Sequence, residues 1–331
     1  MMNMKAKLFM TMAAATLMLA GCGNDENEPA DNWNGEIRLS SGLDVQQVTR
    51  SIATGLQGNQ IASGVQVGFF INEAVQGGGT ATTTYTQNLD YTANGNGGFS
   101  GTTVYYPQSG KGVNIYAYAP YASGITSFNS SYSFTVATDQ STDNNYLASD
   151  LLWGQPMKEN DAGEYVSANP VSRTSEAVNI SFKHLLSKIE VTLTPGSGLT
   201  ADDFKGATLK VFQVQCGITL TLSTGAIGTA SGDKTDVTAA TYSTTETPTA
   251  LTAAAIVVPQ TIAKETKFLE VDLTTGGKLY YTLPDSGEGL TLAGGKIYKY
   301  TITVNLTGLT VTSKITDWEA IGTDTGTAVM D

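Results

Sequence analysis

Hydrophobic and polar residues alternate with a period of two along most of the chain, and the helical period of 3.6 is nearly absent. Val65, Val67, Phe69 and Ile71 alternate with Gln66, Gly68 and Phe70, which predicts a strand with one strongly apolar face. The same pattern predicts strands over 112–119, 132–137, 178–182, 188–194 and 208–222. In the last of these, Phe212, Val214, Cys216, Ile218 and Leu220 fall on one face, so Cys216 reads as a buried free thiol.

The pattern continues to the far end. Leu269, Val271 and Leu273 lead into Thr275-Gly276-Gly277 and return as Leu279, Tyr281 and Leu283, a hairpin whose glycines supply positive φ. Tyr298, Tyr300, Ile302, Val304 and Leu306 alternate most clearly, and Thr307-Gly308 turns them into a strand over 309–313. Residues 182–187 tolerate a helix but are too few for more than a turn. The polar stretch 154–177, with two prolines and no alternation, reads as a long loop near a boundary. The chain is therefore expected to be all-β, with two consecutive β-sandwich domains over 37–173 and 174–331.

Composition agrees with many short strands and turns: charged residues make up 15% and glycine supplies 36 of 331 positions. The formal net charge of −12 argues against nucleic acid as a partner, because phosphate contacts need clustered Lys and Arg.

The start of the chain has a different character. Lys5 and Lys7 precede an apolar stretch over 8–19, the layout of a secretory signal over 1–21. About 12 helical residues rise only about 18 Å, too short for a hydrocarbon core of about 30 Å. Leu19-Ala20-Gly21-Cys22 resembles a bacterial lipobox, and that resemblance implies cleavage before Cys22 and lipidation of its thiol and new amine. Several acyl chains hold a protein on a membrane where one does not. The acidic segment over 22–36 has little to bury and is expected to be a disordered leash. It is also similar to the surface-export signal of Bacteroides-group lipoproteins. With Cys22 lipidated, Cys216 has no partner for an intrachain disulfide.

Candidate chemistry is thin. His184 is the single histidine, which removes most nucleophile-and-base pairs, and its place beside a strand suggests a structural role. Ser231 and Lys234 have the S-x-x-K spacing of serine acyl enzymes but lie in a Gly-rich stretch without a helix or a K-T-G partner. Residues 292–296, Leu-Ala-Gly-Gly-Lys, lack the spacing of a phosphate loop. Asp139, Asp143 and Asp150 lack calcium-loop spacing and read as a solvated loop. Neither a metal, a cofactor nor an enzyme activity is expected. Tyr105, Tyr106, Tyr116, Tyr118 and Tyr121 could stack on sugar rings, although alternation puts about half of them in the core.

Several landmarks occur in order over nearly the whole chain: the lipobox, NIYAYAPY at 114–121, DLLWG at 150–154, SFKHLLSKIEVTL at 181–193, IVVPQTI at 256–262 and the closing GKIYKYTITVNLTGLTVTSKITDWE. Jointly they resemble the fimbrillin (Mfa-like) proteins of Bacteroides and its relatives. The resemblance implies two sandwiches of transthyretin-like topology in a structural or adhesive subunit of a surface pilus. It further implies a lipoprotein precursor at the outer membrane, from which an arginine-directed protease removes leader and first strand together. Other pilin subunits would then be the partners, each filling the gap of its neighbour, with a host or bacterial surface ligand for an adhesin.

Carried onto this sequence, the first strand is Ile37, Leu39, Leu43 and Val45, and the cut falls between Arg50 and Ser51. The candidate donor is the tail, with Ile321, Thr323, Thr325, Thr327 and Val329 on one face. The alternative is a surface glycan-binding lipoprotein that keeps both its lipid anchor and its first strand.

Overall fold

The computed structural model describes residues 33–43, 60–74, 84–243, 251–274, 277–285, 287–305, 308–318 and 326–328. The first half of the chain contributes β1 (Leu39–Leu43), β2 (Gln66–Glu73), β3 (Thr84–Ala93), β4 (Phe99–Gly101), β5 (Val113–Ala119) and β6 (Ser131–Thr135). Helix α1 (Asp143–Ala148) follows, then β7 (Leu152–Glu159), β8 (Tyr165–Ser167) and β9 (Val178–His184). The remainder comprises β10 (Ser187–Pro195), β11 (Thr208–Thr221), β12 (Ala226–Ile227), β13 (Ser231–Thr238), β14 (Ala240–Ser243) and β15 (Leu251–Val257). It closes with β16 (Thr261–Ile262), β17 (Lys267–Leu273), β18 (Gly277–Thr282), β19 (Leu290–Thr291), β20 (Lys296–Asn305), β21 (Gly308–Asp317) and β22 (Gly326–Ala328). The protein is all-β, as its alternation predicts.

One sheet runs β1-β9-β7-β5-β2-β3-β4, with β8 on the side of β7. It curls on itself. Phe99 of β4 and Phe182 of β9 lie far apart in strand order, yet their rings are 6.3 Å apart, and Phe69 packs edge-on against Phe99 and Tyr91. Phe70, expected on the polar face of β2, is equally buried, because Tyr118 and Phe128 cover that side.

Three further sheets carry the second half: β14-β15-β10-β20-β21-β22, β12-β11-β17-β18 with β13 and β6 also on β11, and the two-stranded β16-β19. Their inward residues, among them Ile189, Val191, Leu209, Val214, Ile302 and Val304, are buried in one apolar core. Each side chain of this kind contributes about 1.5–3 kcal/mol when fully buried.

Three sequence expectations are corrected. The stretch 154–177 is not one loop, because most of β7 and all of β8 lie in it. Gly154 and Pro156 disguise the strand: a Cβ at Gly154 would come within 2.8 Å of the Phe182 ring, so the glycine leaves the space that ring occupies. β9 pairs with β7 and β1, and the chain passes to the next sheet at Leu185–Leu186. There Leu185 N–H donates to Leu151 O, while Leu186 O accepts from Gly295 N–H.

Phe212 does not share the face of Val214. A bulge with Gln213 at φ 51° separates Val211 from Val214, keeps both inside and turns Phe212 out to meet Tyr280. The aspartate-rich stretch near 143 forms α1, capped by Thr142, whose side chain accepts from Asn145 N–H. The described residues from Gly35 onward cluster as one compact unit.

Candidate functional site

The segment 35–43 holds an unusual place, because it is hydrogen-bonded along both sides. On one side β1 runs parallel to β9, with Leu39 opposite Val178, Ser41 opposite Ile180 and Leu43 opposite Phe182. Val178 N–H donates to Arg38 O at 2.8 Å. On the other side it meets residues 97–106 in antiparallel bridges, Glu36 with Tyr105 and Ser40 with Gly98. Ile37 N–H donates to Val104 O and Ser41 N–H to Gly97 O, each at 2.7 Å. The first strand thus closes the gap left by the curl of its sheet.

Its side chains match that position. Ile37 and Ser41 are buried at 7% and 8% exposure, and Leu39 is half-buried. The fit is close: a Cβ at Gly97 would stand 2.9 Å from Ser41 O, and one at Gly35 would meet the Arg173 guanidinium. Arg38 points outward and pairs with Glu36 at 2.7 Å. Leu43 ends the strand; Val45, Arg50, Ser51 and Cys22 lie outside the described residues.

At the other end of the chain, Gly326–Ala328 forms β22 at the edge of its own sheet. Its three register pairs are Gly326 with Ile315, Thr327 with Lys314 and Ala328 with Ser313. Ile321, Thr323, Thr325 and Val329 lie outside the described residues. A cleft of about 180 Å³ lies beside that edge, lined by Tyr281, Leu290, Tyr298, Tyr300, Ser313 and Ile315.

The landmarks of the sequence meet at a place the sequence did not disclose. His184 Nδ1 lies 2.9 Å from Asp150 Oδ1, both nearly solvent-free, and the imidazole stacks on Trp318 at 4.0 Å and 10°. Lys188 Nζ stands 5.9 Å over the same indole and 2.7 Å from Glu190, which also receives Lys299 at 3.4 Å. Burial opposes charge on Glu190, but Lys188 and Lys299 overcome it and hold the carboxyl below the usual carboxylate range. Burial, reinforced by Asp150 and Glu190, pushes the Tyr146 phenol well up. DLLWG, SFKHLLSKIEV and ITDWE therefore converge on one polar knot where β9 hands over to β10. A lone histidine in a strand-rich chain was the only signal pointing there.

The remaining candidates are dispersed. Asp139 accepts from Ser141 N–H at 3.0 Å, Asp143 opens α1 and Asp150 faces His184, so the three have separate structural roles. Ser231 and Lys234 sit on β13, paired with Gly217 and Gln215. Cys216 is buried, and burial pushes its thiol up. Tyr106 and Tyr118 are core residues, Tyr116 and Tyr121 are half-buried, and Tyr105 is exposed.

A family profile described as Fimbrillin-like matches residues 49–318. A candidate fimbrium subunit of Bacteroides uniformis, Fim1C, is 25% identical over 325 residues, covering 95% of this chain and 96% of that protein. The crystal structure of a candidate cell adhesion protein from Bacteroides uniformis superposes with a TM-score of 0.60 at 23% identity, over 86% of this chain and 100% of that one. One from Bacteroides ovatus gives 0.61 at 20% identity, over 87% and 98%.

Proposed function

The chain belongs to the fimbrillin-like family of fimbrial, cell-adhesion subunits, and on that premise we propose how it is exported and assembled. It travels as a lipoprotein on Cys22, reaches the outer surface, is cut after Arg50 and joins other pilin subunits by strand insertion. It works as a structural or adhesive subunit without an active site.

One observation carries this reading: β1 is bonded along both edges and precedes Arg50, with β2 beginning only at Gln66. A cut at Arg50 would free leader and β1 together and leave Gly97 O, Val104 O and Val178 N–H unsatisfied. Each backbone group left buried without a partner costs about 1–3 kcal/mol, so an extended segment that restores these bonds is held strongly. Unpaired strand edges recruit strands for the same reason.

The test is the N-terminus of the protein taken from the cell surface. Mass spectrometry should show a lipid-free start at Ser51, and Arg50→Ala should give a lipidated start at Cys22 with polymer lost. A wild-type surface protein that still begins at Cys22 would sink the reading. It would favour the glycan-binding alternative, which has its own candidate in a cleft of about 320 Å³ lined by Ser63, Gln66, Tyr121, Asn144 and Leu147.

A further inference from the structure

The chain contains three Asn-Gly pairs, at 34–35, 94–95 and 96–97, and all of them border the seat of β1. Residues 34–35 lead into β1, and Gly35 O accepts from Tyr106 N–H. The other two pairs form the turn that β1 meets on its far side, where Gly97 O accepts from Ser41 N–H at 2.7 Å. Asparagine is a labile residue, most of all before glycine, which has no side chain to screen its backbone nitrogen from the neighbouring amide carbon. We propose that Asn96 is a site of spontaneous deamidation and that its conversion to isoaspartate loosens the seat of β1.

The reaction needs water and no other reagent. Gly97 N gives up its proton and bonds to Asn96 Cγ, the Cγ–Nδ2 bond breaks, and ammonia leaves with that proton. Water then opens the resulting five-membered imide at one of its two carbonyls. Opening at the side-chain carbonyl gives aspartate. Opening at the main-chain carbonyl gives isoaspartate, in which the chain runs through Cβ and Cγ and a carboxylate hangs free. Nothing is oxidised or reduced.

The two pairs of the turn differ in how they are held. Asn94 Oδ1 accepts from Asn96 N–H at 2.8 Å and from Gly98 N–H at 3.0 Å, so imide formation at Asn94 must break both bonds. Asn96 is exposed, and among the described residues neither its side chain nor Gly97 N–H makes a hydrogen bond. Electrophile and nucleophile are both free at Asn96, whereas the electrophile is tied at Asn94. Conversion of Asn34, which precedes β1, would leave the turn untouched.

The seat itself demands the glycine that makes Asn96 labile. Gly97 has φ 82°, and a Cβ there would stand 2.9 Å from Ser41 O. Isoaspartate at 96 inserts one further backbone atom directly before Gly97. The carbonyl that holds Ser41 N–H at 2.7 Å is then displaced, and a hydrogen bond of that length does not survive the shift. The joint that retains β1 weakens with the age of the molecule, without an enzyme.

Ageing the folded full chain in mildly alkaline buffer tests this, with peptide mapping by a fragmentation method that separates isoaspartate from aspartate. Asn96 should convert several-fold faster than Asn94, while in urea, where the turn is lost, the two should convert at similar rates. Hydrogen exchange at the amides of 37–41 should be faster in the aged protein than in the fresh one. Asn96→Ser, aged in parallel, should keep the exchange of fresh protein. An intact amide at 96 after the urea control has converted, or Asn94 converting as fast as Asn96 in the folded chain, overturns the proposed site. Unchanged exchange at 37–41 in converted protein, or equal loosening in aged Asn96→Ser, overturns its link to the β1 seat.

Discussion

Among single residues, Glu190 is the one whose charge the fold most clearly uses. Its carboxylate is nearly buried and receives Lys188 at 2.7 Å and Lys299 at 3.4 Å. Burial alone would raise its pKa from 4.5; the two ammonium groups reverse that and lower it. A carboxyl that is more acidic folded than unfolded adds stability above its unfolded pKa and loses it as pH falls through the folded value. Urea midpoints measured from about pH 6 down to about pH 3 should fall steadily in the native protein. Glu190→Gln should be less stable at neutral pH, because two cations lose their partner, and should lose part of that acid slope. An unchanged slope would mean that Glu190 is not held as an anion by its lysines.

At the scale of elements, two glutamines stand in for missing backbone. Gln140 is fully buried; its Nε2 donates to Ile256 O at 2.7 Å and its Oε1 accepts from Ile256 N–H at 2.8 Å, as a neighbouring peptide would. Gln260 does the same for Gln215, next to the second register shift between β11 and β13. Gln140→Ala strands two buried backbone groups at about 1–3 kcal/mol each, so it should lower unfolding free energy by about 2–6 kcal/mol in denaturant titration. A cost below about 0.5 kcal/mol, the range of an ordinary surface substitution, would contradict that role.

The same elements show what the sequence could disclose. Strands with clean alternation, such as β2, β5, β10, β17 and β20, are legible because a period of two has no other cause. What stayed hidden depends on contacts between distant residues. The bulge at Gln213 inverted the assignment of Phe212, β7 was masked by the glycine that Phe182 requires, and α1 is too short for a helical period to register. The pairing of Asp150 with His184 spans 34 residues and has no local signature. β1 overlaps the alternation of Ile37, Leu39 and Leu43, but its two-sided bonding has no signal in the sequence, since the partner segment 97–106 shows little strand pattern.

For the whole molecule, elements from the two halves of the chain share a strand pairing and a buried cluster. β6 precedes the sheet switch at Leu185–Leu186, yet pairs with β11, Phe134 opposite Ile218. Phe70, Tyr118 and Trp153 of the first sheet belong to the same buried cluster as Val214, Ile256 and Trp318. Trp153 Nε1–H donates to Leu222 O across that joint at 2.7 Å. Elements that share a core and a sheet lose it together, so the two halves should unfold as one cooperative unit. Scanning calorimetry of the intact protein should give one transition whose calorimetric and van't Hoff enthalpies agree. Two resolved transitions would mean that the interlock is weak and that the halves are independent. The assembly reading makes this cooperativity a requirement. A subunit that loses β1 and waits with an open groove must keep the rest of its fold, and an interlocked core lets the groove open without either half coming apart. Under that reading, cleavage should move the transition to lower temperature and leave it single.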